Sequence, residues 1–430
     1  MLRQEVRKAP VRVPNLYPSY GLFHAGAAAT DLLTLVFIAR IIQTSPQQLS
    51  ILDSMSTYGN IFAALGFGLV AGRLAPSRPI LAASLIAAAL SIILLAASST
   101  MWMAYALAFL VGIFNDMPRS VVPWYLSSKT PRAKWGEVYS KLATAGSLGG
   151  AIGIAFSFAW LAATQHWQRV GFSEQTLLVF WGAATLVAAI AGWKATAGSQ
   201  SGRTHPALRV FHLGSRFLLS PQEHPHLNTV KGELPQTRRP SMVTAFRDVW
   251  IVHSVVPAIL FVGLGMSYTG TILYLFDDLK SPWPLVFTML LLVRITSWLT
   301  SAGAARLLTK FTPLRVHQVA AIWRILAVLG LSLVLFFPKS LWSIPIVAVL
   351  FAICGAAGAV LSITEVLAVT EATPKRHHGT AIFLFNGVSN AGAGIGSGLA
   401  GLIGQQLNLP AALAVSGVVV GFALWLQHRY

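Results

Sequence analysis

Long apolar runs, separated by short polar segments, follow one another along almost the whole chain. Most runs are close to the roughly 20 residues that a helix needs to cross the hydrocarbon core of a bilayer. Proline-containing turns such as Thr44-Ser45-Pro46 and Ser281-Pro282 separate most of them. The pattern predicts twelve membrane-spanning helices, at residues 20–42, 51–72, 79–98, 102–127, 135–163, 175–195, 249–276, 284–308, 316–337, 342–370, 379–405 and 409–427.

The composition supports an all-α membrane protein. Hydrophobic residues make up 55% of the chain and charged residues only 10%, against about 25% charged residues in a typical soluble domain. The single cysteine, Cys354, excludes an intrachain disulfide and a cysteine-rich metal site. The chain contains no Gly-x-x-x-x-Gly-Lys-Ser/Thr loop for a nucleotide, so we expect neither direct ATP drive nor a cofactor.

The net charge of +18 could indicate a nucleic-acid partner, but the positions of the basic residues argue against one. If the N-terminus is cytoplasmic, 23 of the 31 Lys and Arg residues fall in or beside cytoplasmic segments, and five lie within the helices. Only Arg169, Lys280 and Lys339 then fall in external loops. Because basic residues concentrate on the cytoplasmic side, this contrast predicts a multi-pass protein of the cytoplasmic membrane with both termini inside.

Residues 197–246 differ from the rest of the chain, since they are polar and contain five prolines, at positions 206, 221, 225, 235 and 240. We interpret this stretch as a cytoplasmic linker. It would follow a cytoplasmic segment at 1–19 and a six-helix bundle at 20–196, and would precede a second bundle at 247–430.

The two halves resemble each other when the chain is shifted by 243 residues. Such parallel repeats are typical of transporters. Small residues also allow helices to approach closely, so we expect the matched glycines to serve gating or packing. The shift superposes Gly112 on Gly355, Thr130-Pro131-Arg132 on Thr373-Pro374-Lys375, Gly136 on Gly379, Gly149 on Gly392, and Gly153 on Gly396.

The predicted chain resembles the major facilitator superfamily, because it has two sets of six helices, both termini in the cytoplasm and a basic central loop. The segment Gly72-Arg73-Leu74-Ala75-Pro76-Ser77-Arg78-Pro79 resembles the family's motif after the second helix, but lacks its acidic residue and second glycine. Gly149 and Gly153 keep only two of the five positions of the family's antiporter motif, so they do not identify an antiporter. The resemblance implies two pseudo-symmetric six-helix bundles, with the third, sixth, ninth and twelfth helices peripheral.

Ionisable residues inside the predicted helices are the candidate functional groups. Each costs about 2.5–3.5 kcal/mol at a helix centre unless it is paired or hydrated. Asp116 and Arg119 are spaced to meet on one helix face, and Asn115 is one turn from Arg119. The candidates for substrate binding or coupling are Asp31, Asn115, Asp116, Arg119, Arg294, Glu365, Asn386 and Asn390.

Two further sites are expected to have other roles. Glu137 and Lys141, spaced i, i+4 near a helix end, predict a structural or gating pair. Arg324 lies on a peripheral helix, where its side chain could extend to the membrane surface.

The resemblance implies a secondary transporter that moves a small solute by alternating access, in either direction. Arg119 and Arg294 favour an anionic or zwitterionic solute, and Asp31, Asp116 or Glu365 would carry a coupling proton. Besides the bilayer, we expect the solute and a proton as partners, no nucleic acid, no metal, and a monomer. Two alternatives remain: an uncoupled facilitator of the same fold, and a membrane-embedded enzyme that acts on lipid-linked substrates, with His377-His378 beside Glu371 as its candidate centre.

Overall fold

The computed structural model describes residues 16–42, 46–71, 78–164, 172–196, 255–277, 283–334, 343–372 and 378–429. These residues form twelve long α-helices and one short 3₁₀ turn, without a strand. The predicted linker at 197–246, most of the motif after the second helix, and the second Thr-Pro turn lie outside these ranges. The helices are α1 (Leu16–Ile42), α2 (Pro46–Ala71), α3 (Arg78–Leu95), α4 (Met101–Lys129), α5 (Trp135–Thr164), α6 (Phe172–Ala195), α7 (Val256–Asp277), α8 (Trp283–Lys310), α9 (Pro313–Val334), α10 (Ser343–Ala372), α11 (His378–Gln406) and α12 (Leu409–Arg429).

The twelve predicted helices are confirmed, with two informative differences at their starts. Helix α2 begins at Pro46 rather than at residue 51, and α9 begins at Pro313 rather than at 316. Proline is well suited to the first helical position, because its φ is already helical and that position needs no N–H donor. These turn prolines therefore begin the next helix.

The helices form two pseudo-symmetric bundles of six. In the first bundle, α1 packs on α5 and α6, α2 packs on α4, and α3 packs on α4 and α6. In the second, α7 packs on α11 and α12, α8 on α10, and α9 on α10 and α12. Each of these contacts in the first half recurs six helices later, as the predicted repeat requires.

The repeated glycines make equivalent contacts in the two bundles. A Cβ atom at Gly149 would overlap the carbonyl oxygen of Gly21 in α1, and one at Gly392 would overlap that of Ala258 in α7. Because only a glycine fits such a contact, the repeat marks the places where helix backbones touch. The other matched contacts are Gly153 on Ala25, Gly396 on Val262, Gly112 on Ser56, and Gly355 on Val293.

The bundles meet chiefly through α2 against α11 and α5 against α8, and these contacts are flanked by α4 against α11 and α5 against α10. The pseudo-symmetry relates the members of each pair: α2 against α11 corresponds to α8 against α5, and α4 against α11 corresponds to α10 against α5. We call the end of the helices that carries Lys129, Arg132, Lys134 and Lys310 the basic end. The predicted topology places this end in the cytoplasm.

The outer surface is suited to lipid. Eight of the helices, α3 to α8, α10 and α12, are long and apolar enough by themselves to cross a membrane. The expected peripheral helices expose large apolar side chains, since a bilayer can solvate them. Examples are Ile86, Leu90 and Leu94 of α3, Val187 and Ile190 of α6, Ile322 and Leu326 of α9, and Val418 and Phe422 of α12.

The expectation that Arg324 extends to the membrane surface is wrong. Its guanidinium group lies against Gly358 of α10, and its Nε atom is buried without a hydrogen-bond partner among the described residues. The glycine leaves room for the side chain between α9 and α10, so the charge is turned toward the interior of the second bundle.

Candidate functional site

A cavity of about 660 Å³ lies between the two bundles. Side chains of α1, α2, α4, α5, α7, α8, α10 and α11 line it, together with Leu95 of α3. Its volume is in the usual range for small-molecule sites, about 300–1,000 Å³. Seven of the eight predicted binding or coupling residues line it, namely Asp31, Asp116, Arg119, Arg294, Glu365, Asn386 and Asn390. The eighth, Asn115, is buried behind Asp116 and does not line it.

Arg119 pairs with a carboxylate on another helix. Its Nη2 atom lies 3.6 Å from Oδ2 of Asp31 in α1, and the two side chains are 30% and 47% exposed. The sequence spacing favoured contact with Asp116 as well, but no ion pair joins those two residues in the described part of the chain. Because both paired side chains are accessible from the cavity, a solute can compete for either one.

Hydrogen bonds between α4 and α11 join the bundles along one wall of the cavity. Nδ2 of Asn390 donates to Oδ1 of Asp116 at 3.3 Å, and Nδ2 of Asn386 donates to Oγ of Ser120 at 2.8 Å. The two asparagines were expected to bind a polar solute. Their side-chain amides also link the two bundles. A bound solute that replaced these hydrogen bonds would therefore alter the interface between the bundles.

Several buried polar atoms around the cavity have no hydrogen-bond partner among the described residues. An unsatisfied buried group costs roughly 1–3 kcal/mol. A solute with matching polar groups can remove that cost, so these atoms favour binding of a polar molecule. They include Oδ2 of Asp116, Nε of Arg119, Nε2 of His24 and Oγ of Ser389.

Arg294 reaches the cavity from α8 across the bundle interface. A Cβ atom at Gly150 of α5 would lie 3.3 Å from its Cδ and 3.4 Å from its Nε, so the glycine makes room for this side chain. Arg294 forms no ion pair with any carboxylate in the described ranges. It is therefore a cationic group available to an anionic solute.

Asp53 is a further cavity carboxyl that the hydropathy pattern did not mark. Oγ1 of Thr269 in α7 donates to its Oδ2 atom at 3.1 Å and lies 2.9 Å from Oγ of Ser397 in α11. The predicted helix began at residue 51 and so placed Asp53 at its tip. Because α2 begins at Pro46, Asp53 instead lies about two turns into the helix and joins the bundles.

The bundles also touch at the basic end of the cavity. Oγ of Ser140 in α5 donates to the carbonyl oxygen of Ser301 in α8 at 2.5 Å. Trp135, Tyr139 and Ile363 belong to a buried apolar cluster at the same end. The two halves are therefore held together on the predicted cytoplasmic side of the cavity.

The predicted pair of Glu137 and Lys141 forms, but it does not join the bundles. Nζ of Lys141 lies 2.6 Å from Oε1 of Glu137 on the same helix, and the side chains are 55% (Glu137) and 59% (Lys141) exposed. Exposed pairs of this kind contribute about 0–1 kcal/mol to stability.

Beyond the cavity, toward the end opposite the basic end, the bundles meet through aromatic and apolar side chains. The rings of Phe158 in α5 and Phe287 in α8 are 5.9 Å apart between centroids. Leu32 and Ile154 pack in the same cluster. The cavity thus lies between two sets of inter-bundle contacts.

Two of the three residues proposed for the enzyme alternative, Glu371 and His378, are among the described residues. His378 is buried and packs edge-on against Trp135, with ring centroids 5.1 Å apart, whereas Glu371 is exposed. His377 lies outside the described residues. Among the described residues, no three His, Cys, Asp or Glu side chains are grouped so that they could hold a metal ion.

Comparison with known families agrees with this architecture. A family profile described as "Major Facilitator Superfamily" matches residues 16–349. The chain belongs to the major facilitator superfamily. Membership favours a membrane transporter over the enzyme alternative. No curated protein sequence matches the chain significantly.

Solved transporter structures share the fold over nearly the whole length of this superfamily member. The crystal structure of the human organic anion transporter MFSD10 (TETRAN) is similar with a TM-score of 0.67 and 14% identity, covering 98% of this chain and 100% of that one. A mutant form of the nucleoside transporter NupG is similar with a TM-score of 0.61 and 12% identity, covering 96% of this chain and 98% of that one. At these identities the likeness shows the fold alone.

Proposed function

We propose that this protein is a proton-coupled secondary transporter that moves a small carboxylate-bearing solute by alternating access. The observation that carries the proposal is the inter-bundle cavity, in which Arg294 has no ion pair with a described carboxylate and Arg119 shares an accessible pair with Asp31. A bidentate arginine–carboxylate pair is among the stronger and more directional polar interactions. Two such arginines favour an anionic or zwitterionic solute.

Alternating access requires that the two sets of inter-bundle contacts open in turn. At the basic end the contacts include one serine–carbonyl hydrogen bond and an apolar cluster, and at the opposite end they are largely apolar with the Asp53–Thr269 bond. Among the described residues neither set contains a buried ion pair, so each set can separate without breaking one. Rocking of the bundles about the cavity would then expose it to one side at a time.

Coupling to protons follows from charge balance inside the cavity. Arginine stays charged throughout the cycle, so Arg119 needs an anionic partner in every state. When a solute carboxylate binds Arg119, Asp31 loses its partner and becomes the group most suited to take up a proton. Asp53, Asp116 and Glu365 line the same cavity and are the remaining candidates.

The organic anion transporter MFSD10 shares this fold, and organic anions are a solute class that suits two cavity arginines. We further propose that the protein is a monomer in the cytoplasmic membrane with both termini in the cytoplasm, as its basic residues predict. The direction of net transport follows from the gradients imposed on it.

The test is substrate-dependent proton movement in proteoliposomes. A pH-sensitive dye inside the vesicles should respond when small carboxylates are added, and an imposed pH gradient should drive their accumulation. Arg294→Gln should weaken transport about tenfold to a hundredfold, since a hydrogen bond to a charged group contributes about 1.5–3 kcal/mol. Lys129→Gln removes a positive charge outside the cavity and is the matched control.

Two results would contradict the proposal. Exchange of a carboxylate without accumulation under a pH gradient would indicate the uncoupled facilitator. Transport of neutral solutes alone, unaffected by Arg294→Gln, would exclude the anionic solute class.

A further inference from the structure

A second cavity, of about 560 Å³, lies on the second bundle outside the inter-bundle cavity. It is a groove between α8 and α9, with α10 as its floor, because both helices pack on α10 while making little contact with each other. Leu307 and Trp323 form its walls and are 40% and 54% exposed. Its position among membrane-spanning helices places the groove within reach of lipid acyl chains.

The internal repeat shows how the floor of this groove differs from the equivalent surface of the first bundle. Ile353, Ala356, Ala357 and Val360 of α10 form its floor. The same shift of 243 residues places these positions on Leu110, Ile113, Phe114 and Met117 of α4. In the first bundle, Leu110 and Phe114 pack against buried clusters that include residues of α3. Ala357 therefore leaves space at the position where Phe114 packs in the other half.

The basic residue at the start of α9 also differs from its counterpart. Arg78 begins α3, where its Nε atom donates to the carbonyl oxygen of Trp193 at 2.7 Å and its guanidinium lies 4.0 Å from the centre of that indole ring. Arg315 lies in the equivalent first turn of α9, lines the groove and is exposed. Its guanidinium group lies 5.8 Å from the centre of the Phe311 ring. The first arginine is held by its own bundle, whereas the second faces outward.

Further positive charge lies at the same mouth of the groove. Arg306 and Lys310, in the last turns of α8, are exposed and precede Arg315 by less than three helical turns of chain. No ion pair joins any of these three side chains to a carboxylate among the described residues. An apolar groove that ends at a cluster of unpaired cations is complementary to a molecule with a hydrocarbon tail and an anionic head.

We propose that this groove binds one phospholipid with an anionic headgroup, taken from the leaflet at the basic end. An acyl chain lies on the alanine floor, and the headgroup phosphate contacts Arg315 with Arg306 or Lys310. Each basic residue near an anionic headgroup adds about 1 kcal/mol, which corresponds to about a fivefold change in affinity. The proposal is independent of the transported solute, since the groove lies outside the inter-bundle cavity.

The test uses the purified full-length protein in detergent. Phosphatidylglycerol and phosphatidylcholine with the same acyl chains are added, and bound lipid is counted by native mass spectrometry alongside thermal unfolding. We expect one retained phosphatidylglycerol and a higher Tm, with little retention of phosphatidylcholine. Arg315→Gln should weaken retention about fivefold, whereas Lys129→Gln, at the same end but outside the groove, should leave it unchanged.

The double variant Ala356→Ile with Ala357→Phe gives the floor the side chains of the first bundle and should abolish retention. If that variant fails to fold, Arg315→Glu, which changes an exposed side chain, supplies the decisive comparison and should also abolish retention. Retention at the wild-type level in whichever of these folds would overturn the proposal. Equal retention of the two lipids by the wild-type protein would overturn it too, because the basic mouth would then play no part.

Discussion

Single side chains in the inter-bundle cavity pair with partners on other helices, both within one bundle and across the interface. Arg119 pairs with Asp31 of α1, while Asp116, one turn away on α4, accepts a bond from Asn390 of α11. The pseudo-symmetric positions of Asn386 and Asn390 in α5 are Ala143 and Ser147. The two asparagines therefore have no counterpart in α5, and the proposed solute site is asymmetric within a symmetric frame.

Replacement of Arg119 tests its role most directly. Arg119→Lys keeps the charge but loses the planar fork that binds a carboxylate through two bonds, so we expect transport to fall about tenfold or more. Arg119→Ala should abolish transport. Initial uptake rates in proteoliposomes provide the measurement, with membrane insertion of each variant checked by its amount in the vesicles.

A purely structural ion pair makes the opposite prediction. The double variant Asp31→Asn with Arg119→Gln removes both charges and would then restore stability and transport together. Recovered transport in this variant would exclude Arg119 as a solute ligand, whereas recovered stability without transport would support the assignment.

Within each bundle, one pair of cavity-lining helices, α1 with α5 and α7 with α11, depends on glycine contacts. Gly149 and Gly153 touch the backbone of α1, and Gly392 and Gly396 touch that of α7. Short backbone approaches of this kind strengthen van der Waals packing between helices in lipid, where no hydrophobic effect drives association. We interpret the glycines as packing positions on the helices that line the cavity.

Substitution of Gly149 should therefore destabilise the protein. In Gly149→Ala the new methyl group would overlap the carbonyl of Gly21, and overpacking of this kind costs about 1–3 kcal/mol. Gly421→Ala in α12 is the matched control, because a Cβ atom there meets nothing within 4 Å. The control should be neutral or stabilising by up to about 1 kcal/mol, since alanine favours helix. Thermal unfolding in detergent compares the two, and equal Tm values would contradict the packing assignment.

For the molecule as a whole, inter-bundle contacts at both ends of one cavity suggest where movement can be blocked. A Cβ atom at Gly136 in α5 would lie 4.0 Å from Cβ of Leu308 in α8, across the interface at the basic end. Disulfides join Cβ atoms about 3.5–4.5 Å apart. A disulfide bond between cysteines placed at these two positions can therefore form without moving the bundles.

The variant Gly136→Cys with Leu308→Cys, in a background with Cys354→Ala, should lose transport on oxidation and regain it on reduction. Each single-cysteine variant serves as a control and should be insensitive to oxidant. Undiminished transport by protein that is fully cross-linked would contradict alternating access through the basic end.

The orientation of the whole protein in the membrane is a prediction from its basic residues. A reporter fused after residue 220 should be cytoplasmic, and one fused near Trp167 should be external. If the first reporter were external and the second cytoplasmic, the orientation would be the reverse of the one predicted. If both reporters lay on the same side, the single predicted crossing between Trp167 and residue 220 would be wrong. The linker boundaries at 197–246 also stay a prediction.

Much of the architecture could be predicted from the sequence, because the bilayer imposes its requirements locally along the chain. Each apolar run of sufficient length must form a helix that satisfies its own backbone hydrogen bonds, so hydropathy alone predicted all twelve helices. The order of the glycines predicted the repeat, since each backbone contact needs a residue without a side chain. The cost of charge in lipid likewise singled out Asp31, Asp116, Arg119 and Arg294 as residues that should face a polar interior.

Only the tertiary structure decided which of these groups meet. Pairing of Arg119 with Asp31, the inter-bundle bonds of Asn386 and Asn390, and the inward turn of Arg324 depend on how distant helices are placed side by side. Asp53 joined the site because Pro46 extends α2 beyond the apolar run. Hydropathy is a property of neighbours along the chain, whereas a hydrogen bond or an ion pair is a property of neighbours in space.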